Sequence, residues 1–430
     1  MPDLFAARTQ MALSLGFHIV FAEIGIAMPV LMVLAEWRWR RTGDVLYLQL
    51  AKRWAKGTAI LFAVGAVSGT VLSFELGLLW PRFMQLAGPI IGLPFSLEGF
   101  AFFTEAIFLG VYLYGWDRIP RSTHLAAGVI VAVSGAASAV FVVMVNAWMN
   151  TPTGISTSGG TINAVDPIAG MFNPSTLQQT IHMLLAAYAA TGLVVAGIHA
   201  GILLRNRDSA FHRAAFAIAL SVGAPAAILQ PVSGDLSARN VAEWQPIKLA
   251  ALEGQFATER GAPLRLGGWP NERDARTSFA FEIPRGLSLL AYHDPSAEVK
   301  GLNFFPRDLW PPVAPVHLGF QVMVGLGTAM ALVSACALFF LVRRKSIVDQ
   351  SWLLRLLAIV APFGFIATEA GWTVTEVGRQ PWVVQGVIRT ADAVTPMPGL
   401  VVPMAIFALL YLGLAAIVVT LIRSLVRETT

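Results

Sequence analysis

Two carboxylates and a guanidinium are gathered in one stretch, EAGWTVTEVGRQPW, from Glu369 to Trp382. Glu369 and Glu376 are seven residues apart and share one helical face. Arg379 follows about one turn after Glu376, and Pro381 stops the helix. The stretch starts in an apolar run and ends in a polar turn, so its charges sit where a helix leaves hydrocarbon, a place where ionisable groups are expensive and usually functional. Two readings fit. One is an anion or metal site near a membrane surface. The other is an interfacial Glu–Arg pair that anchors the helix end and contributes only about 0 to 1 kcal/mol in a wet position.

A wider set of residue types points to iron. His18, His182, Met323 and Glu376, together with the acidic Glu98 and Glu105, all fall in the same half of their apolar spans. A lone buried His is more often satisfied core than ligand, and one helical Met is usually packing. Their shared depth is what favours a metal. Imidazole, thioether and carboxylate are axial ligands of haem iron; a His with a Met makes a low-spin electron-transfer pair, whereas a lone His or Glu leaves iron a position for a gas. Of seven histidines, His124 and His212 fall in junctions and His293 in a long loop, leaving His18, His182, His199 and His317 for the membrane. That is too few for a haem-copper centre with its neighbouring haem, and His182 with His199 gives no two bis-His pairs for a di-haem cytochrome b. His199 reads as structural and His317 as interfacial. Cys336 is the one cysteine, in an apolar run, so neither a disulfide framework nor a Cys-x-x-Cys-His attachment exists.

The elements that must position these groups are membrane helices. At 430 residues, 56% hydrophobic and 13% charged, with a mean hydropathy of +0.66, the chain is a polytopic membrane protein. Its net charge of +5 is split into short clusters between apolar spans, which orients a protein in a bilayer and argues against nucleic acid. Nine spans have about the 20 residues a crossing needs: 13–34, 57–79, 97–115, 125–148, 177–204, 214–232, 316–342, 352–373 and 400–422. The first lacks a basic leader and a small-residue cleavage site, so it reads as a retained helix. Alternate junctions hold Arg38, Arg40, Arg41, Lys52, Arg53, Lys56, Arg118, Arg121, Arg205, Arg207, Arg213, Arg343, Arg344, Lys345, Arg355, Arg423 and Arg427, against Arg8, Arg82, Arg379 and Arg389 at the short opposite ends. By the positive-inside rule the N-terminus is outside and the C-terminus cytoplasmic. The expected division is residues 1–232 as helices 1–6, an outer loop at 233–315, and 316–430 as helices 7–9. That loop is too long for a passive connection. Its EWQPIKLAALEGQFATER segment predicts an amphipathic helix on the outer rim, with Lys248 and Glu253 on a polar face, and the rest predicts an ordered lid.

These residues carry a resemblance. TQMALSLGFHIVFAEIGIAMP, EGFAFFTEAIFLGVYLYGWDR, VNAWMNTPTG, QTIHMLLAAYAATG, QPIKLAALEG, GFQVMVGLG and GRQPW occur in the order in which similar motifs occur in subunit I of the cytochrome bd quinol oxidases, and the resemblance spans all nine helices. It implies that His182 and Met323 ligate a low-spin haem b. It further implies that His18 and Glu376 each ligate one of two more haems, a high-spin haem b and a haem d or a third haem b in its place. Lys248 and Glu253 match quinol-loop positions, Glu98 and Glu105 a proton route, and Arg379 a partner for propionates or for Glu376. Gln321 stands where many members carry an Arg two residues before the Met ligand, and the Glu98 to Glu105 spacing is seven where others have eight.

The implied activity is quinol oxidation at the outer face and reduction of oxygen to water with cytoplasmic protons, charge being separated without a pump. The implied setting is a bacterial inner membrane, with subunit II as partner, a small single-helix subunit besides, and no nucleic acid. The competing class is a haem-free ion or solute carrier with intramembrane carboxylates.

Overall fold

A computed structural model describes residues 2–158 and 161–427. Among the described residues, nine helical spans are long and apolar enough to cross a membrane. They are α1 (Pro2–Thr42), α2 (Val45–Leu79), α3 (Pro81–Tyr114), α4 (Arg121–Asn150), α5 (Thr176–Leu203), α6 (Ala210–Trp244), then, after a short α7 (Pro246–Leu252), α8 (Val313–Val342), the two-piece eighth span α9 (Ser351–Val360) and α10 (Phe363–Val377), and α11 (Val401–Arg427). Each predicted span lies within one of these, to within a residue at its ends, and most helices run longer. The 41 residues of α1 reach about 60 Å at 1.5 Å per residue, twice the hydrocarbon thickness of about 30 Å. Two boundaries differ from expectation. The sixth helix continues past Val232 to Trp244, so the connection to α8 begins as helix; the eighth is broken at Ala361–Pro362, where Pro362 caps α10.

Antiparallel neighbours pair off, α1 with α2, α3 with α4, α5 with α6, and α8 with α10, while α1 also touches α4, α5 and α11. Small residues set the closest approaches, as hydrocarbon-embedded packing requires. A Cβ on Gly192 of α5 would lie 2.5 Å from the Cα of Gly223 on α6, and one on Gly197 would lie 2.5 Å from the Cβ of Ala361 at the break in the eighth span. The α5–α6 pair anchors a core that includes Leu31, Leu193, Phe216, Met330 and Leu357.

The N-terminus and the long connection share one pole, the lid pole; the basic junctions line the other. The lid is ordered, as expected. Three antiparallel pairs build it: 259–260 with 298–299, 264–266 with 281–283, and 269–271 with 276–278. Ala250, Ala251, Leu252 and Phe256 pack with Val313, Val316 and Val374, which fastens the lid to α8 and α10. His317 on α8 staples the same joint, with Nδ1 2.7 Å from the Leu252 carbonyl and Nε2 3.1 Å from that of Gly267. The first and last described helices meet as well. The Leu400 amide donates to Asp3 at 2.8 Å, and the ring of Tyr411 on α11 lies 4.7 Å from that of Phe17 on α1.

Candidate functional site

His182 projects from α5, and Met323 from α8, into one cavity of about 470 Å³ beneath the lid. Two hydrogen bonds fix the imidazole. Ser233 Oγ donates to the Gln230 carbonyl at 2.9 Å, which spends its only proton, so toward His182 Nδ1 at 2.9 Å the hydroxyl must accept. The network therefore assigns the ring proton to Nδ1 and leaves the Nε2 lone pair free to accept, with the Gln230 amide nitrogen 3.2 Å from it. Glycines keep the walls thin here. A Cβ on Gly371 would come within 3.0 Å of Met323 Sδ, and one on Gly234 within 3.6 Å of His182 Cε1.

His18 on α1 is held by the same device. Ser68 Oγ on α2 donates to the Gly65 carbonyl at 3.0 Å and faces His18 Nδ1 at 3.0 Å, again freeing Nε2. Gly69 lies directly beneath the ring, where a Cβ would approach Cε1 to 2.9 Å. His18 does not line the His182/Met323 cavity, and neither does Glu376. Ser68 and Ser233 were not singled out from the sequence; their signal is a Ser whose turn-mate carbonyl, three residues earlier, takes its proton.

Glu376 pairs with Arg379 at 2.6 Å, its own side chain partly exposed and that of Arg379 buried. Arg379 is only 2% exposed; its Nη1 reaches Asn146 on α4 at 3.2 Å, and its Nε has no partner. Lys248 joins this network, its Nζ 3.1 Å from Asn150 Oδ1 and 3.3 Å from the Thr375 carbonyl. The rim helix thus turns its charges inward. Lys248 and Glu253 are each 4% exposed, and both line the cavity, because Gln245 ties the start of α7 to Asn150. Burial, helped by the nearby Arg379 and opposed by Glu376, brings the Lys248 ammonium down to about 7. Burial pushes the Glu253 carboxyl up to about 8, with Arg265 pulling the other way. A donor and an acceptor on one cavity wall thus both titrate near neutrality, as general acid–base groups do.

Glu98 and Glu105 share a face of α3. Ser138 of α4 donates to Glu98 at 3.2 Å, and Glu105 is buried where a Cβ on Gly135 would touch it at 3.0 Å. His199 pairs with His212 at the basic pole, Nδ1 to Nδ1 at 2.9 Å, away from the cavity.

Residues 6–430 match the model of the cytochrome bd terminal oxidase subunit I family. The chain belongs to that family. A putative cytochrome bd menaquinol oxidase subunit I of Bacillus subtilis (strain 168) is 38% identical, over 97% of this chain and 95% of its own length. The cytochrome bd ubiquinol oxidase subunit 1 of the same organism is 32% identical, over 98% and 93%. The solved structure of the bd oxidase from Geobacillus thermodenitrificans is 40% identical, covers 100% of this chain and 99% of its own, and superposes with a TM-score of 0.93.

Membership implies haem, and the residues fit it. A bd-type subunit needs soft or imidazole ligands at an apolar cavity, and His182 and Met323 supply both, the imidazole with its tautomer already set. It also needs cations for propionates. Arg379 offers an orphaned buried Nε, and Lys248 and Arg379 together outnumber the single carboxylate of Glu376 beside them.

Proposed function

We propose that this chain, as the bd-type subunit I of a quinol:oxygen oxidoreductase, binds three haems and oxidises quinol beneath its lid. The observation that carries the reading is the convergence of His182, Met323, Lys248 and Glu253 on one cavity. His182 Nε2 and Met323 Sδ would hold a low-spin haem b; His18 and Glu376 would each hold one of two further haems, of b or d type. Bound there, haem iron would carry electrons singly and reduce oxygen.

The protein's own residues do the rest. Glu253 accepts, and Lys248 donates, hydrogen bonds to the quinol hydroxyls, and Glu253 takes the first proton released. Arg379 neutralises carboxylates at the mouth of the site through a fork that a Lys would not reproduce. Gln321 stands at the position where the family resemblance implies an Arg in many members, and it holds the Arg265 carbonyl at 3.0 Å, which brings an Arg from the lid to the same wall. The lid pole faces outside and the basic pole the cytoplasm, following the positive-inside rule. Protons released at the lid leave outward, while Glu98 and Glu105 relay protons inward from the cytoplasmic side, so turnover separates charge without a pump. Subunit II completes the membrane complex in the bacterial inner membrane, and a small single-helix subunit is a further partner.

A reduced-minus-oxidised optical spectrum of the purified complex, with oxygen consumption driven by menaquinol and by ubiquinol, tests the reading. Haem bands with quinol-dependent oxygen uptake are expected. A colourless complex would overturn it and favour a haem-free carrier.

A further inference from the structure

Helix α1 presents acids on two different faces. His18 and Gly25 share the face toward α2 and α3, where Glu105 Oε1 comes within 4.0 Å of a Cβ on Gly25. Gly16 and Glu23 share another face, toward α10, where Glu369 Oε2 would lie 3.1 Å from a Cβ on Gly16. Glu23 has no place in the activity as described. It is 4% exposed, neither carboxyl oxygen has a hydrogen-bond partner, and the groups beside it are the Thr368 hydroxyl and the Glu369 carboxyl. Glu369 Oε1 is buried and unpartnered too. An orphaned polar atom in the interior costs about 1 to 3 kcal/mol, so each of these two neighbouring buried acids calls for a proton.

We propose that Glu23 and Glu369 form a proton-storing carboxyl pair behind Glu376, separate from the Glu98 and Glu105 relay on the His18 side. A proton on either carboxyl removes the cost of holding an unpaired charge in the interior. Glu376 follows Glu369 on the same face of α10, about 10 Å farther along the helix. Toward the basic pole the same face of α1 is closed by Ala27 and Leu31, both fully buried, so the pair is a store and not a channel to the cytoplasm. Only protons move. The pair alternates between one and two O–H bonds as negative charge arrives at, and leaves, the Glu376 side, and no electron passes through it.

This inference rests on the oxidase reading, and redox-difference infrared spectroscopy of the purified complex separates the two. A wild-type complex with no redox-difference spectrum would remove the oxidase reading itself. With haem signals present, Glu23→Gln and Glu369→Gln are expected to lose the same protonated-carboxyl band and to take up fewer protons on reduction. Glu105→Gln should lose a different band. Glu23→Asp, which retains an acid, should shift the shared band instead of removing it, and serves where the amide variants do not assemble. Unchanged carboxyl bands in the Glu23 variants, or separate bands lost in Glu23→Gln and Glu369→Gln, would overturn the proposal.

Discussion

Removing the Ser233 hydroxyl is the sharpest perturbation of the proposed low-spin site, because it alters no ligand. Ser233→Ala deletes an oxygen that receives the His182 Nδ1 proton at 2.9 Å and donates to the Gln230 carbonyl at 2.9 Å. The imidazole then loses the acceptor of its Nδ1 proton and is free to rotate away from the Gln230 amide nitrogen, 3.2 Å from Nε2. Loss of such an outer partner typically weakens a metal site about 10- to 100-fold, equivalent to about 1.4 to 2.8 kcal/mol. The assay is haem content of the purified complex, with the low-spin signal followed during competition by apo-myoglobin as a haem acceptor. Low-spin haem should be lost first and the remaining haems kept. Ser68→Ala, which removes the matching hydroxyl at His18, should give the reciprocal pattern. If Ser233→Ala held its low-spin haem as tightly as wild type, the assignment of the tautomer, and of His182 as a ligand held by it, would be refuted.

Met323→Leu should convert the low-spin haem to high spin and abolish quinol oxidation; an oxidised wild-type protein lacking the near-infrared charge-transfer band of a Met ligand would count against this. Glu376→Gln should lose one haem per protein while retaining the His182/Met323 spectrum. It should also destabilise the complex by about 3 kcal/mol, the lower end for breaking a buried pair, because Arg379 is buried while Glu376 is only partly so. Retention of all haems, with the stability loss alone, would leave Glu376 as an ion-pair partner and no ligand. Glu253→Gln should abolish quinol turnover but keep oxygen reduction from an artificial one-electron donor; equal loss of both would point to a structural role. The sign of its pH effect is fixed by burial. With a folded value of about 8, above that of an unfolded carboxyl, Glu253 contributes its stability fully in acid and loses it as pH rises through 8. Glu253→Gln should therefore gain thermal stability over wild type at pH 9 but not at pH 5.

The helices were legible because hydrocarbon forces every backbone group into a helix and leaves a long apolar run as the record. Local interruptions left a weaker trace. Pro362 breaks the eighth span, yet Pro225 and Pro231 sit inside the continuous α6, so proline alone does not say where a membrane helix stops. The ligand candidates were legible as residue types at one depth. Their supports were not, since the hydroxyls of Ser68 and Ser233 matter only through a carbonyl one turn away and a ring on another helix. The spacing placed Lys248 and Glu253 on one rim helix without saying which way they face. Amphipathic spacing cannot tell a polar face turned to water from one turned to Asn150 and a polar cavity wall. Glu23 lay in plain view within an apolar span, but its meaning depends on Thr368 and Glu369, more than three hundred residues later.

The bond from Leu400 to Asp3, and the contact of Tyr411 with Phe17, have a consequence for how the molecule is made. A ribosome makes α11 long after α1, yet α11 packs against α1, one residue from His18. Until α11 emerges, that flank of α1 stays open, and a nascent chain carrying every proposed iron ligand is still an unclosed vessel. A chain cut short before Val401 would keep all of the proposed ligands while lacking the wall that α11 sets against Phe17.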